Sequence, residues 1–102
     1  MANLQTPGIQ LLKARATDGT DGYFTWNFPT GKASFQRAGT PDSATITLNA
    51  LAPDGTSAIP ITTATTAGAV LVEGLVCGQQ YQAVISSAGG STSLSAWLLA
   101  VN

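Results

Sequence analysis

Few side chains in this sequence could carry out chemistry. The 102 residues include no histidine and a single cysteine, Cys77. Without histidine the chain lacks the usual general base, the commonest metal ligand and every Ser–His or Cys–His nucleophile pair. Cys77 alone cannot hold a structural zinc ion, and beside a glycine in a turn we interpret it as a small packed residue. The acidic side chains are five carboxylates: Asp18, Asp21, Asp42, Asp54 and Glu73.

Most of these carboxylates fall in turns, where aspartate bonds the local backbone. Asp18 and Asp21 lie in the segment TDGTDG and could together contribute to a calcium site. Calcium needs about six or more oxygen ligands, however, and the segment does not match an EF-hand loop. A glycosidase carboxylate pair would need a cleft and a larger scaffold than this chain offers. We therefore expect no enzymatic activity, no cofactor and no metal.

The charge content restricts the possible partners. Only 9% of the residues are charged and the net charge is −1. The four cations are too few and too scattered for nucleic-acid binding, which depends on neutralising many phosphates. No apolar run is long enough to span a bilayer, and the segment MANLQTPG is not a signal peptide. We expect no nucleic-acid partner, no membrane partner and synthesis in a cytosol.

Alternating apolar and polar residues predict short strands along most of the chain. Residues 44–51 alternate cleanly, and residues 23–28 place Phe24, Trp26 and Phe28 on one face. Residues 9–16 could form a strand or a short helix. Further strands are predicted at 33–37, 57–61, 69–73, 81–86 and 93–101, with a polar loop at 62–68 and a hairpin loop at 88–92. The result is an all-β chain: a single antiparallel β-sandwich of seven or eight short strands.

The domain organisation follows from this pattern. Residues 1–8 lack periodicity and end in Pro-Gly, so we predict an N-terminal arm there and the sandwich at 9–102. The last strand is apolar on both faces, which is unusual in a half-exposed antiparallel sheet. One face belongs to the core, and the other is either a partner surface or is covered by the N-terminal segment. The candidate partner-binding residues are Leu4, Pro7, Tyr23, Trp97, Leu99 and Val101.

The segment LVCGQQYQAVIS, residues 75–86, is typical of a chain that turns a corner between two sheets. Leu75, Gly78 and Tyr81 match the corner of fibronectin type III-like modules, whereas Cys77 stands where those modules usually have proline. This resemblance implies a sandwich of the immunoglobulin, fibronectin III or jelly-roll kind. It also implies that the Tyr81 hydroxyl hydrogen-bonds to the upstream backbone. The motif concerns fold rather than function.

The whole-chain layout resembles the small decoration, or cement, proteins of tailed phages. The likeness lies in the short N-terminal arm, a Thr-, Gly- and Ala-rich body, the ATITLNALAPDGTS hairpin and the YQAVIS strand. The resemblance implies a non-enzymatic structural protein on the outer capsid surface of a virion, made in the host cytoplasm. The implied partners are the major capsid protein and sibling subunits in a homotrimer.

A different class of function is a carbohydrate- or surface-binding module of a fibre or adhesin. In that case Tyr23 and Trp97 would be the residues that stack on a sugar. The sequence lacks a cluster of exposed aromatic residues, which such modules would need.

Overall fold

The computed structural model describes residues 8–101. Within this range the chain forms nine antiparallel strands and no helix. Seven of them have six to nine residues, and two have only two residues. In chain order the strands are β1 (Gly8–Arg15), β2 (Gly19–Thr20), β3 (Phe24–Thr25), β4 (Lys32–Thr40), β5 (Thr45–Leu51), β6 (Ala58–Ala64), β7 (Gly68–Glu73), β8 (Gln80–Ser86) and β9 (Ser93–Ala100).

The strands form two packed sheets. The four-stranded sheet has the order β1-β9-β4-β7. The five-stranded sheet has the order β2-β8-β5-β6, and β3 also pairs with β8. This confirms the predicted all-β antiparallel sandwich. The structure has one or two strands more than predicted because Gly19 and Thr20, expected in a loop, pair with β8.

The core lies between the sheets and is built by alternation on the long strands. On β5 the residues Ile46, Leu48 and Ala50 are buried while the intervening residues are half-buried. Tyr81, Ala83 and Ile85 are likewise buried on β8, as their alternation predicts, although Gln82 between them is buried as well. Each buried aliphatic or aromatic side chain contributes about 1.5–3 kcal/mol, so a small chain with few charged residues has enough apolar area to hold two sheets together.

The predicted strand at residues 23–28 is much shorter in the structure. Only Phe24 and Thr25 join the ladder, and Trp26 then leaves it while remaining fully buried. The Trp26 backbone bonds the corner after β7 instead, donating to the Gln79 carbonyl at 2.9 Å and accepting from Gly78 at 2.6 Å. Trp26 can therefore be buried outside the ladder, because the corner supplies the backbone hydrogen-bond partners that a neighbouring strand would otherwise supply.

The edge strand containing Pro60 lies where its sequence places it. Within residues 8–101, β6 is the outer strand of the five-stranded sheet and pairs with β5 alone, with a register shift between Leu48 and Asn49. Pro60 cannot donate to a ladder, so an edge is the position that tolerates it. The loop predicted at 62–68 is wrong at both ends, since β6 continues to Ala64 and β7 begins at Gly68.

The predicted hairpin at 88–92 is also wrong, because this segment crosses from one sheet to the other. β8 belongs to the five-stranded sheet, whereas β9 pairs with β1 and β4. The segment packs on the loop after β4: Ser91 N–H donates to Asp42 Oδ2 at 2.7 Å, and the Thr92 hydroxyl donates to the Pro41 carbonyl at 2.9 Å. In immunoglobulin domains the corresponding strand lies in the same sheet as the corner strand, so the strand order here differs in that respect.

Candidate interaction surface

Four of the five carboxylates, all of them aspartates, accept hydrogen bonds from backbone N–H groups of the described residues. Asp54 accepts hydrogen bonds from Ser57 Oγ at 2.6 Å and from the backbone N–H groups of Thr56 and Ser57 at 2.8 Å. These bonds, led by the one from the Ser57 hydroxyl, lower the pKa of Asp54 from 3.8 to about 2. A carboxylate stabilised in its charged form by its own turn is a poor proton donor.

Asp18, Asp21 and Asp42 have similar structural roles. Asp18 accepts from the Ala88 N–H at 2.8 Å, whereas Asp21 accepts from Lys13 N–H and pairs with the Arg15 guanidinium at 2.9 Å. The two aspartates of TDGTDG therefore bond different segments. Within residues 8–101, no group of three or more His, Cys, Asp or Glu side chains could hold a metal ion.

Two of the four cations are also engaged in holding loops. Arg15 donates to the carbonyls of Thr17 and Asp18 as well as to Asp21. Arg37 is buried, donates to the Thr66 carbonyl at 3.1 Å and lies over the Phe35 ring at 5.4 Å.

In the part of the chain that the structure describes, no helix is long and apolar enough to cross a membrane.

The corner between β7 and β8 has the expected tyrosine bond. The Tyr81 hydroxyl accepts from the Val76 N–H at 3.0 Å and donates to Gln79 Oε1 at 2.8 Å. Burial raises the pKa of Tyr81 above its usual 10.0. Cys77 is exposed here rather than packed as predicted, and it precedes Gly78, whose φ is 96°. The open groove of about 590 Å³ at this corner has only Cys77 as an ionisable lining residue.

The outer face of the four-stranded sheet is the most distinctive surface. On β9, Ala96 and Leu98 are fully buried, whereas Trp97 and Leu99 are half-buried and project from the opposite face. Trp97 lies between Gln10 and Gln36 in the neighbouring strands. The two faces that the sequence predicts for the last strand are thus both present, and the outward one is not enclosed by residues 8–101.

Leu99 continues this apolar surface along the strand. It lies between Gly8 of β1 and Ser34 of β4, and Leu71 lies beyond Ser34 on β7. A Cβ on Gly8 would come within 2.7 Å of Leu99 Cδ2, so β1 covers one side of Leu99. The centre of the outer face is uncharged, and the residues there are Gln10, Ser34, Gln36, Ala38, Ala69, Leu71, Ser95, Trp97 and Leu99. Lys32 and Glu73 lie opposite each other at one end of the same face.

The outer face of the five-stranded sheet is different. Val84 is half-buried at its centre, between Thr20 and Thr47. The positions around Val84 are mainly threonine, asparagine and glutamine, and Gln80 Nε2 donates to Thr25 Oγ1 at 3.5 Å. The two outer faces of the sandwich therefore differ in apolar content, and only the four-stranded sheet exposes a tryptophan.

The remaining candidate residues are distributed as follows. Leu4 and Pro7 lie outside the described residues. Val101 is half-buried just after β9, where its N–H donates to the Lys32 carbonyl at 3.0 Å. Tyr23 is half-buried between β2 and β3, which belong to the other sheet from Trp97. Tyr23 and Trp97 therefore do not form one aromatic platform.

Sequence reasoning missed one further set of apolar residues. In residues 8–101 the exposed large aliphatic side chains all lie between positions 59 and 76: Ile59, Ile61, Val70, Leu71 and Val76. The run AVLV in β7 carries the signal, because successive residues of a strand point to opposite faces and the outer face of a two-layer sandwich is uncovered. Val70 and Val72 are predicted on one face, yet Val70 is 39% exposed while Val72 is buried, because β7 is the edge strand of its sheet.

Comparisons with protein-family models, with curated proteins and with solved structures find no match to this chain.

Proposed function

We propose that this protein is a non-enzymatic structural protein that binds and stabilises an assembled protein shell, the outer surface of a tailed-phage capsid. The observation that carries the proposal is the outer face of the four-stranded sheet, which exposes Trp97 and Leu99 and has no charged residue around Trp97. Aromatic side chains without neighbouring charges are typical of the core of a protein–protein interface. The engagement of Asp18, Asp21, Asp42 and Asp54 in turns supports a role without catalysis.

The size of the face limits how it can act. Four strands about 4.8 Å apart and about eight residues long give a face of roughly 500 Å². A stable interface buries about 800 Å² on each partner. One face alone is therefore at the weak end, and durable binding requires further contacts or several linked copies.

A repeated shell meets that requirement, because many identical sites lie at fixed spacing on its surface. Rigid strands lose little conformational entropy on binding, so most of the contact energy is kept. In this proposal the major capsid protein is the principal partner and sibling copies are the second. The protein would be made in the host cytoplasm and would function on the virion exterior.

The test uses capsids assembled from the major capsid protein encoded in the same genome. Purified protein is added to these capsids and the mixture is sedimented. We expect saturable binding at a fixed number of copies per capsid, together with a higher temperature of capsid disassembly. Absence of a capsid gene from that genome, or protein that stays in the supernatant at saturating concentration, would contradict the proposal.

A further inference from the structure

Among residues 8–101, β7 is a sheet edge that nothing covers, unlike the other outer strands. Exposed edges can template pairing with another chain, and proteins usually block them with proline, bulges, charge or short length. β6 has Pro60 and a register shift, β1 has two register shifts, and β2 has only two residues. β7 pairs with β4 through six consecutive residues without a shift and contains neither proline nor lysine.

The hydrogen bonds at the end of β4 show which backbone groups of β7 are free. Val101 N–H donates to the Lys32 carbonyl, so the backbone carbonyl of Lys32 points towards β9. Successive residues of a strand direct their N–H and C=O groups to opposite sides. Ala33 therefore faces β7, as do the two residues at alternate positions after it.

Their partners in β7 are Val72, Val70 and Gly68, whose backbone groups point inward to β4. The N–H and C=O groups of Ala69, Leu71 and Glu73 then point outward from the sheet edge. All three residues are exposed, and Leu71 is 53% exposed with its side chain on the outer face. The edge thus presents three donors and three acceptors in a regular row.

We infer that β7 pairs with β7 of a second copy of this chain, antiparallel and around a two-fold axis at Leu71. This register places Leu71 opposite Leu71 and Ala69 opposite Glu73. Each of the three pairs exchanges two hydrogen bonds, so all six free groups of each edge are satisfied. A shift of the axis to Val70 or Val72 would satisfy only four.

Features of β7 favour a second copy over an unrelated strand. The only charged residue of the strand is Glu73, and the register places it opposite Ala69 rather than opposite another carboxylate. The exposed Leu71 side chains cover each other on the outer face. The axis is perpendicular to the sheet, so Val70, which is 39% exposed on the same edge strand, also lies beside the second copy.

The pairing would join two four-stranded sheets into one of eight strands. Its outer face would be roughly 1,000 Å², about twice that of one copy. This inference does not depend on the capsid proposal, because it rests only on the edge geometry. It differs from the three-fold arrangement that the phage resemblance implies, and the two are distinguished by stoichiometry.

The first test is amide hydrogen exchange on the unmodified protein, at concentrations below and above the dimerisation midpoint measured by light scattering. We expect the amides of Ala69, Leu71 and Glu73 to exchange rapidly in the dilute protein and slowly in the dimer. The amides of Val70 and Val72 bond to β4 and are expected to be protected at both concentrations. Protection that does not alternate in this way would overturn the register.

The second test uses charge at the centre of the pair. Leu71→Lys and Leu71→Glu are each expected to weaken dimerisation by about tenfold or more, because like charges lie directly opposite. An equimolar mixture of the two variants is expected to dimerise again. Ile61→Lys is the matched control, an exposed aliphatic residue on the protected edge β6, and is expected to have a smaller effect.

Three results would refute the inference. A protein that stays monomeric into the millimolar range has no such pairing. A trimer, or a dimer that both Leu71 variants leave unchanged, associates through another surface. Failure of the mixture to restore pairing, with both variants folded by circular dichroism, would show that position 71 is not opposite itself. If the variants do not fold, the exchange measurement decides alone.

Discussion

Removal of one hydroxyl group tests how the corner holds the two sheets together. In Tyr81→Phe the ring that fills the core is retained, while the bonds from Val76 N–H at 3.0 Å and to Gln79 Oε1 at 2.8 Å are lost. An ordinary hydrogen bond contributes about 0.5–1.5 kcal/mol net. Val76 is exposed, so water replaces part of the loss. We expect the free energy of unfolding to fall by about 1 kcal/mol.

Urea unfolding at neutral pH measures this change. The midpoint is expected to fall while the slope with urea stays constant, because the surface exposed on unfolding is unchanged. Tyr23→Phe is the matched control: Tyr23 is half-buried, and its hydroxyl makes no hydrogen bond within residues 8–101. An equal loss in both variants, or no loss in Tyr81→Phe, would refute the role assigned to the corner.

The pH dependence gives a second measure of the same group. Burial raises the pKa of Tyr81, so its neutral form is favoured in the folded state. The stability associated with this shift is present below pH 10 and is lost as the pH rises through the raised pKa. The wild-type and Tyr81→Phe proteins should therefore approach each other in stability in alkali. The Tyr81→Phe protein, once folded, should bind its partner as tightly as the wild type, because the corner lies away from the outer face.

The other predictions concern residues of β4 and of two turns. Arg37→Ala should lower the free energy of unfolding by about 2 kcal/mol, because a buried side chain that bonds two carbonyls is removed. Chemical denaturation measures this change, and an unchanged midpoint would contradict the prediction. The Asp54 carboxyl should titrate near pH 2 by carbon-detected NMR and closer to 4 in Ser57→Ala. The turn should therefore lose stability as the pH falls through the lowered pKa of Asp54. Equal titration midpoints in the two proteins would oppose this. Gly39→Ala should destabilise more than Gly22→Ala in thermal unfolding: both glycines have φ near 113°, but only at Gly39 would a Cβ collide with the Ser93 carbonyl. Equal losses would show that backbone strain alone decides.

The sequence predicts the parts of this fold that depend on local alternation. Residues 44–51 alternate between apolar and polar side chains, residues 81–86 have Tyr81, Ala83 and Ile85 at alternate positions, and the core lies on the predicted faces. The tyrosine corner is predictable because the turn at Gly78 and its spacing to Tyr81 let the Tyr81 hydroxyl bond the upstream backbone. Pro60 likewise indicates an edge, since it lacks the N–H that a central strand needs.

Non-local pairing was not predictable in the same way. Nothing in the sequence of residues 88–92 distinguishes a hairpin from a crossover, because the difference depends on bonds to Pro41 and Asp42, about fifty positions away in the chain. The shortening of the strand at 23–28 has the same origin, since Trp26 takes its backbone partners from Gln79 and Gly78. The free edge of β7 becomes visible only when the strand order is known.

The most direct test of the proposed interaction surface compares Leu99→Gln with Val84→Gln in sedimentation with capsids. Both are half-buried aliphatic residues that project outward from inner strands, Leu99 on the four-stranded sheet and Val84 on the five-stranded sheet. Burial of the remaining exposed half of Leu99 is worth about 1 kcal/mol, so Leu99→Gln should weaken binding about fivefold per copy. Val84→Gln should leave binding unchanged. Equal affinities for the two variants, or a larger loss in Val84→Gln, would contradict the assignment of the outer face of the four-stranded sheet as the docking surface.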